Sequence, residues 1–448
     1  MARNRGPLSF WRAGKRPQPF TSLQHPIKSG FHPIYRSLWP TIIRLHYKTL
    51  RIVFTKETTV SRSTETLRGR AALVVGHCAG MIDIVALPVW VGIVLIGQYG
   101  LEPQAAGMLA TLFLGAVVVS SLFFSPRIRS IRGTVAAPVG FAIAATGFAA
   151  LATTRDYGAM VALHLACGLA VGCSLSFTHS TIGASANPHR LIAVGFTALS
   201  VVSLAFLGGV PRLVNAAGGA SLFLVLGAIM SVAALFALFG FPTRRSPIPQ
   251  EDNPIIHVPL ARGVWFAMIG TSFMTMNNAM LLSFLEPVGA ARGFGKELIM
   301  AVLLAVGLVN LVPGVLAAIL ESRISARAVM LFGPVLQGVL GVLLTHSTLF
   351  PTYAVTGALF PAVLIFAHTF VFAFLARNDP STRAVAATPV MAMAGSAVGP
   401  IVGGIAAQNL GYESIGMVVA AAAAIGTVCF WQAWRSAPAA LPSTTPVL

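Results

Sequence analysis

The sequence predicts an all-α polytopic membrane protein with twelve transmembrane helices, built as two pseudo-symmetric six-helix halves. Three observations lead to this class. Of 448 residues, 56% are hydrophobic and only 9% are charged, whereas a soluble chain carries about 25% charged residues. So little charge cannot cover a water-facing surface. Apolar runs of ~20 residues, the length a helix needs to cross the hydrocarbon core, follow one another from Ala71 to Trp434. Matching motifs also recur at one offset in the two parts of the chain.

Residues 1–70 form a basic arm, with fourteen Lys or Arg against two acids, Glu57 and Glu65. It contains no signal-peptide core. Trp11, Phe20, Phe31, Tyr35 and Trp39 are interspersed among its cations. Three readings stay open. The arm is a disordered cytosolic tail leaning on anionic lipid, where each Lys or Arg contributes about 1 kcal/mol. It is an organellar transit peptide. Or the true start lies downstream and the arm is absent from the mature protein. Nucleic acid is not expected as a partner, since no folded basic domain presents a patch. Cys78, Cys167, Cys173 and Cys429 all fall in apolar segments without metal or redox spacing. They read as buried fillers, and no cofactor or metal is expected.

The spans fall at 71–95, 105–124, 134–153, 159–183, 192–210, 219–240, 263–287, 298–319, 328–345, 353–376, 384–408 and 414–434. Helices are the expected form, because lipid offers backbone groups no partner. With the N-terminus cytoplasmic, the inner loops hold Arg127, Arg129, Arg132, Arg190, Arg244, Arg245, Arg262, Arg323, Arg327, Arg377, Arg383 and Arg435; the outer loops hold Arg155, Arg212, Arg292 and Lys296. Twelve cations against four obey the positive-inside rule. Both termini are therefore expected in the cytoplasm, in a bacterial inner membrane, with 435–448 as a cytosolic tail. The loop 241–262 is dense in Pro and charge and divides the chain into halves at 71–240 and 263–434.

Asn187-Pro188-His189-Arg190 precedes span five, and Asn378-Asp379-Pro380-Ser381-Thr382-Arg383 precedes span eleven. The prolines are 192 residues apart, and the pairs Gly208-Gly209 and Gly403-Gly404 follow about one span later. SPRIRSIRG (125–133) after span two is echoed by ESRISAR (321–327) after span eight. A duplicated six-helix unit explains these matches.

On these features residues 71–434 resemble the major facilitator superfamily. The run Gly395-Ser396-Ala397-Val398-Gly399-Pro400-Ile401-Val402-Gly403-Gly404 in span eleven adds to the likeness. The resemblance implies a secondary transporter of a small organic solute, working by alternating access as a monomer in lipid, and not an enzyme. It also implies that spans one, seven and ten line a central cavity. Two departures stand out. The family's loop after span two reads G-x-x-x-D-R-x-G-R-R; here Arg127, Arg129 and Arg132 remain, but the Asp and internal Gly do not. Glu321 with Arg323 and Arg327 could supply a gating latch in the second half instead. The G-x-x-x-G-P-x-x-G element that family antiporters carry in span five stands in span eleven, which argues against a drug antiporter.

Only two acids fall within spans, Asp83 in span one and Glu286 in span seven. An intramembrane ionisable group marks a pathway by default. Both become proton-coupling candidates, with His368 of span ten beside them. His77, His164 and His179 offer either a relay or single bonds between helices. Asn277, Asn278 and Asn310 are candidate cavity contacts, weighed against a role tying helices together. Trp90, with Trp265 and Phe284, offers an apolar cavity wall or plain packing. No Arg or Lys falls inside a span, which points to neutral, weakly polar or cationic solutes. No GxxxxGK[ST] loop is present, so ATP drive is not expected. An uncoupled facilitator is the main alternative. An intramembrane lipid-linked transferase is a poorer one, because no large loop, carboxylate pair or His cluster is visible.

Overall fold

A computed structural model describes residues 63–243, 260–321, 323–379 and 383–436. The readings placed on the arm through residue 62, on most of the central loop and on the tail from 437 lie outside the described residues. Twelve helical segments follow in order: α1 (Leu67–Gln98), α2 (Pro103–Phe124), α3 (Gly133–Leu151), α4 (Tyr157–Gly183), α5 (Pro188–Ala217), α6 (Ala220–Gly240), α7 (Arg262–Ala291), α8 (Lys296–Val309, resuming as Pro313–Leu320), α9 (Ala326–His346), α10 (Phe350–Asn378), α11 (Arg383–Leu410) and α12 (Glu413–Arg435). They belong to one compact unit, Ser61–Leu448. Odd-numbered helices start at what we term the terminal face, where α1 begins and α12 ends; even-numbered helices return from the opposite, distal face.

Local signals set several starts. The Thr66 hydroxyl accepts from Gly69 N at 3.1 Å, Asp156 from Ala159 N at 2.7 Å and Ser325 from Ala328 N at 3.1 Å. Each satisfies an amide that the helix itself leaves free. Asp379 of the Asn-Asp-Pro motif before α11 accepts from Ala384 N at 2.7 Å. At the distal face, Gly218 (φ 84) and Gly411 (φ 82) make left-handed turns that let α5 fold into α6 and α11 into α12 within two residues.

Four features differ from the expected spans. The first helix begins at Leu67, so the last residues of the basic arm belong to the bundle, and Glu65 accepts from Ala186 N at 3.2 Å. From Pro88 to Gln98 α1 is π-helical, because the ring removes a backbone donor and the following carbonyls take partners five residues on. The fifth helix runs through Pro211 to Ala217, which puts Arg212 inside a helix rather than in a loop. Its guanidinium donates to Gly208 O, near the carbonyl that Pro211 leaves free. The eighth helix breaks at 310–312, with Asn310 as the cap of its first segment.

Eleven of the helices among the described residues are long and apolar enough to cross a membrane. The exception is α7, which carries Thr271, Ser272, Thr275, Asn277, Asn278, Ser283 and Glu286. It can be this polar because it is packed among its neighbours: most of its length from Thr271 to Gly289 is buried.

The halves meet along three helix pairs near the distal face, and glycine sets each approach. A Cβ at Gly107 of α2 would lie 2.2 Å from Pro400 O of α11, and one at Gly404 would lie 2.5 Å from Pro103 O. Gly92 of α1 abuts Pro287 of α7, and Gly307 of α8 abuts Leu204 of α5. Ile401 N donates to Thr111 Oγ1 and Gln104 N to Gln408 Oε1, both at 3.1 Å. Gly115 of α2 and Gly314 of α8 meet nothing within 4 Å. The halves are closed together distally.

Candidate functional site

The two intramembrane acids are held in different surroundings. On α1, residues 76, 80 and 83 share one face, since positions three, four and seven apart line up on a helix. A Cβ at Gly76 would meet Thr178 at 3.1 Å, and one at Gly80 would meet Leu175 at 2.6 Å, both on α4. Asp83 therefore sits on the side of α1 turned into the N-terminal half. It is 2% exposed. Its Oδ1 accepts from Ile84 N at 2.8 Å, and Oδ2 has no partner. This corrects the sequence-based picture of Asp83 at the border between halves: the two glycines let α4 in on that face.

Glu286 does lie in the seam. Its Cβ is 3.2 Å from where a Cβ on Gly92 would be, and Ser283 O and Pro287 complete the contact with the π-helical part of α1. Beyond it, at the distal face, burial and the carboxylates of Glu286 and Glu102 push the Tyr412 phenol above its ordinary value. The nine residues from Asp83 to Gly92 put the two acids about 13 Å apart along the helix axis. They do not form one site.

Asn277 is fully buried and ties three helices. Its Nδ2 donates to Val419 O of α12 at 3.2 Å and to Gln337 Oε1 of α9 at 3.5 Å, while Gln337 Nε2 donates to Met274 O at 3.2 Å. It is placed as a helix tie rather than a cavity contact. Asn278 is buried with its Oδ1 unpartnered, and so is the Oδ1 of Asn310 at the break in α8. His368 follows Ala367, which meets Gly333 of α9, and its Nε2 is buried without a partner. Fifteen residues separate it from Tyr353, whose hydroxyl donates to Leu285 O at 2.7 Å. His368 is thus about 22 Å from the Glu286 level.

Trp90 is not a cavity wall. It is 1% exposed and stacks on His164 at 5.3 Å, edge-on to Phe113, Phe148 and Phe223, all within the N-terminal half. Trp265 is 52% exposed on the outside of α7. Phe284 is buried under Gly403 of α11.

At the terminal face Arg127 donates to Phe123 O at 2.7 Å and lies over the Phe123 ring. Arg129, Arg132, Glu321, Arg323 and Arg327 are exposed, and no ion pair joins them among the described residues. The distal face does carry a clasp within the C-terminal half: Arg292 pairs with Glu413 at 2.9 Å and also donates to Thr345 O.

Sequence reasoning missed two features. One is the glycine seam between the halves at Gly92, Gly107, Gly307 and Gly404, together with the small-xxx-small stripe Gly395, Gly399 and Gly403 that packs α11 on α7 within the C-terminal half. The other is a contact between His77 Nδ1 and His179 Nε2 at 2.9 Å, which no local pattern announces.

No protein-family model matches the chain, and no curated protein matches it. Solved structures do. A bacterial homologue of the human lysosomal transporter Spinster, inward-facing and unoccupied, superposes with TM-score 0.64 at 13% identity, over 85% of this chain and 98% of that one. Its occupied form gives TM-score 0.61 at the same identity. A mutant of the nucleoside transporter NupG gives 0.63 at 11% identity, over 82% and 100% of the two chains. The chain has the major facilitator fold. Within that fold, α1–α6 and α7–α12 are the two halves, and the far ends of α2, α5, α8 and α11 carry the seams between them.

Proposed function

We propose that this protein is a secondary transporter of a small, neutral or cationic organic solute, coupled to protons and working by alternating access. One observation carries the reading. The halves are joined near the distal face by glycine contacts, Gly107 on Pro400 and Gly404 on Pro103, the kind of close seam that alternating access makes and breaks as the halves rock about a central site. Glu286 supports proton coupling, because a carboxylate in the seam is enclosed when the seam closes and meets water when it opens. Asp83, an unpaired carboxyl inside one half, is the place where a proton removes the cost of a buried charge.

The test is flux in proteoliposomes under an imposed pH gradient, with a panel that includes nucleosides, sugars and organic cations. Gradient-dependent uptake of at least one class is expected. In the same vesicles a Gln104→Cys, Gln408→Cys pair, oxidised across the distal seam, stops transport, and reduction restores it. Uptake indifferent to the gradient makes the protein a facilitator. No uptake, or uptake unaffected by the cross-link, overturns the reading.

A further inference from the structure

The His77–His179 contact lies outside the seam and takes no part in the mechanism above. It joins the terminal-face third of α1 to that of α4. The ring centroids are 5.2 Å apart, and His77 is wholly buried. The Phe196 ring of α5 stands edge-on to His77 at 4.9 Å, and a Cβ at Gly195 would be 2.9 Å from His77 Cδ2. The His77 ring is thus wedged between His179, Phe196 and Gly195. Its Nε2 is buried and unpartnered. His179 is partly exposed, so the pair has one closed end and one open end. Among the described residues the groups next to it carry no charge: Gly195 and Phe196 of α5, and Cys78 of α1, whose thiol turns to Gly195 O, with Phe141 of α3 and Thr178 of α4 beside the neighbouring Gly76. Along α1 the nearest acid is Asp83, on another face, and along α5 the nearest cation, Arg190, is exposed.

We propose that His77 and His179 form a proton-binding clasp that holds α1, α4 and α5 together when uncharged and loosens them when it takes up protons from the open side. Two facing ring nitrogens 2.9 Å apart have room for one N–H between them. A neutral pair supplies one donor and one acceptor. A doubly charged pair supplies two donors and no acceptor, with like charges in a place that offers no anion. Charging first the exposed ring and then the buried one must push α1 away from α4. The proposal predicts a pH response in the range where histidine changes charge, independent of the two carboxylates. It rests on the transporter reading only for its uptake arm.

The test has two arms, so that failure of either idea is recognised. In the first, the full chain in detergent is melted between pH 8 and pH 5. The wild type is expected to lose about 2 °C or more in Tm across that range, and His179→Gln, whose amide still reaches the partner ring but does not titrate, to lose most of that dependence. In the second, uptake by the wild type falls on the acid side and uptake by H179Q falls less. A melting curve that keeps the same pH dependence in H179Q overturns the clasp, whatever the transport result. If H179Q does not accumulate, His179→Phe, an aromatic ring that neither donates nor titrates, is measured instead, and an unchanged dependence overturns the proposal equally.

Discussion

At position 277 an amide gives its N–H groups to Val419 O and Gln337 Oε1, and Gln337 in turn reaches Met274 O. Replacing Asn277 with Ala leaves two buried acceptors short of a donor. Bonds between membrane helices contribute about 0.6 kcal/mol on average and up to about 1.7 kcal/mol, so N277A should cost about 1–2 kcal/mol, read as a lower Tm, with solute affinity unchanged. The acids make a sharper comparison. On the proposed mechanism Glu286 lies at a boundary that opens and closes, whereas Asp83 lies within one half and would keep its surroundings while the halves rock. Glu286→Gln should abolish gradient-driven uptake but spare exchange at equal pH. Asp83→Asn should leave the coupling within about twofold. Loss of coupling in D83N with full coupling in E286Q would reverse the assignment. At the foot of α1, Glu65 is held below the ordinary 4.5 by its bond from Arg70 and then by that from Ala186 N. A depressed carboxylate stabilises the fold fully above its unfolded value, and the contribution is lost as pH falls through the lowered one. Melting between pH 6 and pH 3 should therefore show Glu65→Gln less stable than the wild type at pH 6, with a shallower acid slope, and the two converging toward pH 3.

At the scale of the helix, glycine decides which ends can touch. Gly107 and Gly115 lie two turns apart on α2, the first 2.2 Å from Pro400 O by a notional Cβ and the second facing open space. Gly107→Ala must push α11 away, while Gly115→Ala gains helix propensity of about 1 kcal/mol at no steric cost. The first variant should lose the distal seal, seen as faster labelling of a cysteine at Gln408, and most of its transport; the second should behave as wild type. The helices themselves were legible in the sequence because length and apolarity define them: ten of the twelve expected spans end within about four residues of the observed ones. The two larger misses have local causes. Pro211 and Arg212 read as a loop, but the arginine bonds back to Gly208 O and keeps the helix going. The break at 310–312 is hidden because Asn310 and Pro313 sit in an otherwise apolar run. Which face of α1 carries Asp83 was not legible at all, since it follows from Gly76 and Gly80 admitting α4, and both look like ordinary small residues in a membrane span.

At the scale of the whole molecule, the charged loops say which side of the membrane the terminal face should look toward. The cations divide twelve to four between the terminal-face and distal-face loops expected from the sequence. Moving Arg212 into α5 does not weaken the bias, because it removes a cation from the poorer side. Loops this short obey the positive-inside rule best. The terminal face is therefore expected in the cytoplasm. Reporter fusions after Ser436 should be active only as cytoplasmic reporters, and a cysteine at Glu413 should react with an impermeant reagent from outside intact cells. The same orientation fixes the sign of the clasp's response: acidifying the cytoplasmic side, and not the outer medium, should slow transport. A response to outer pH alone, in a protein whose C-terminal reporter is cytoplasmic, would mean that His179 is reached through a state with its seams reversed.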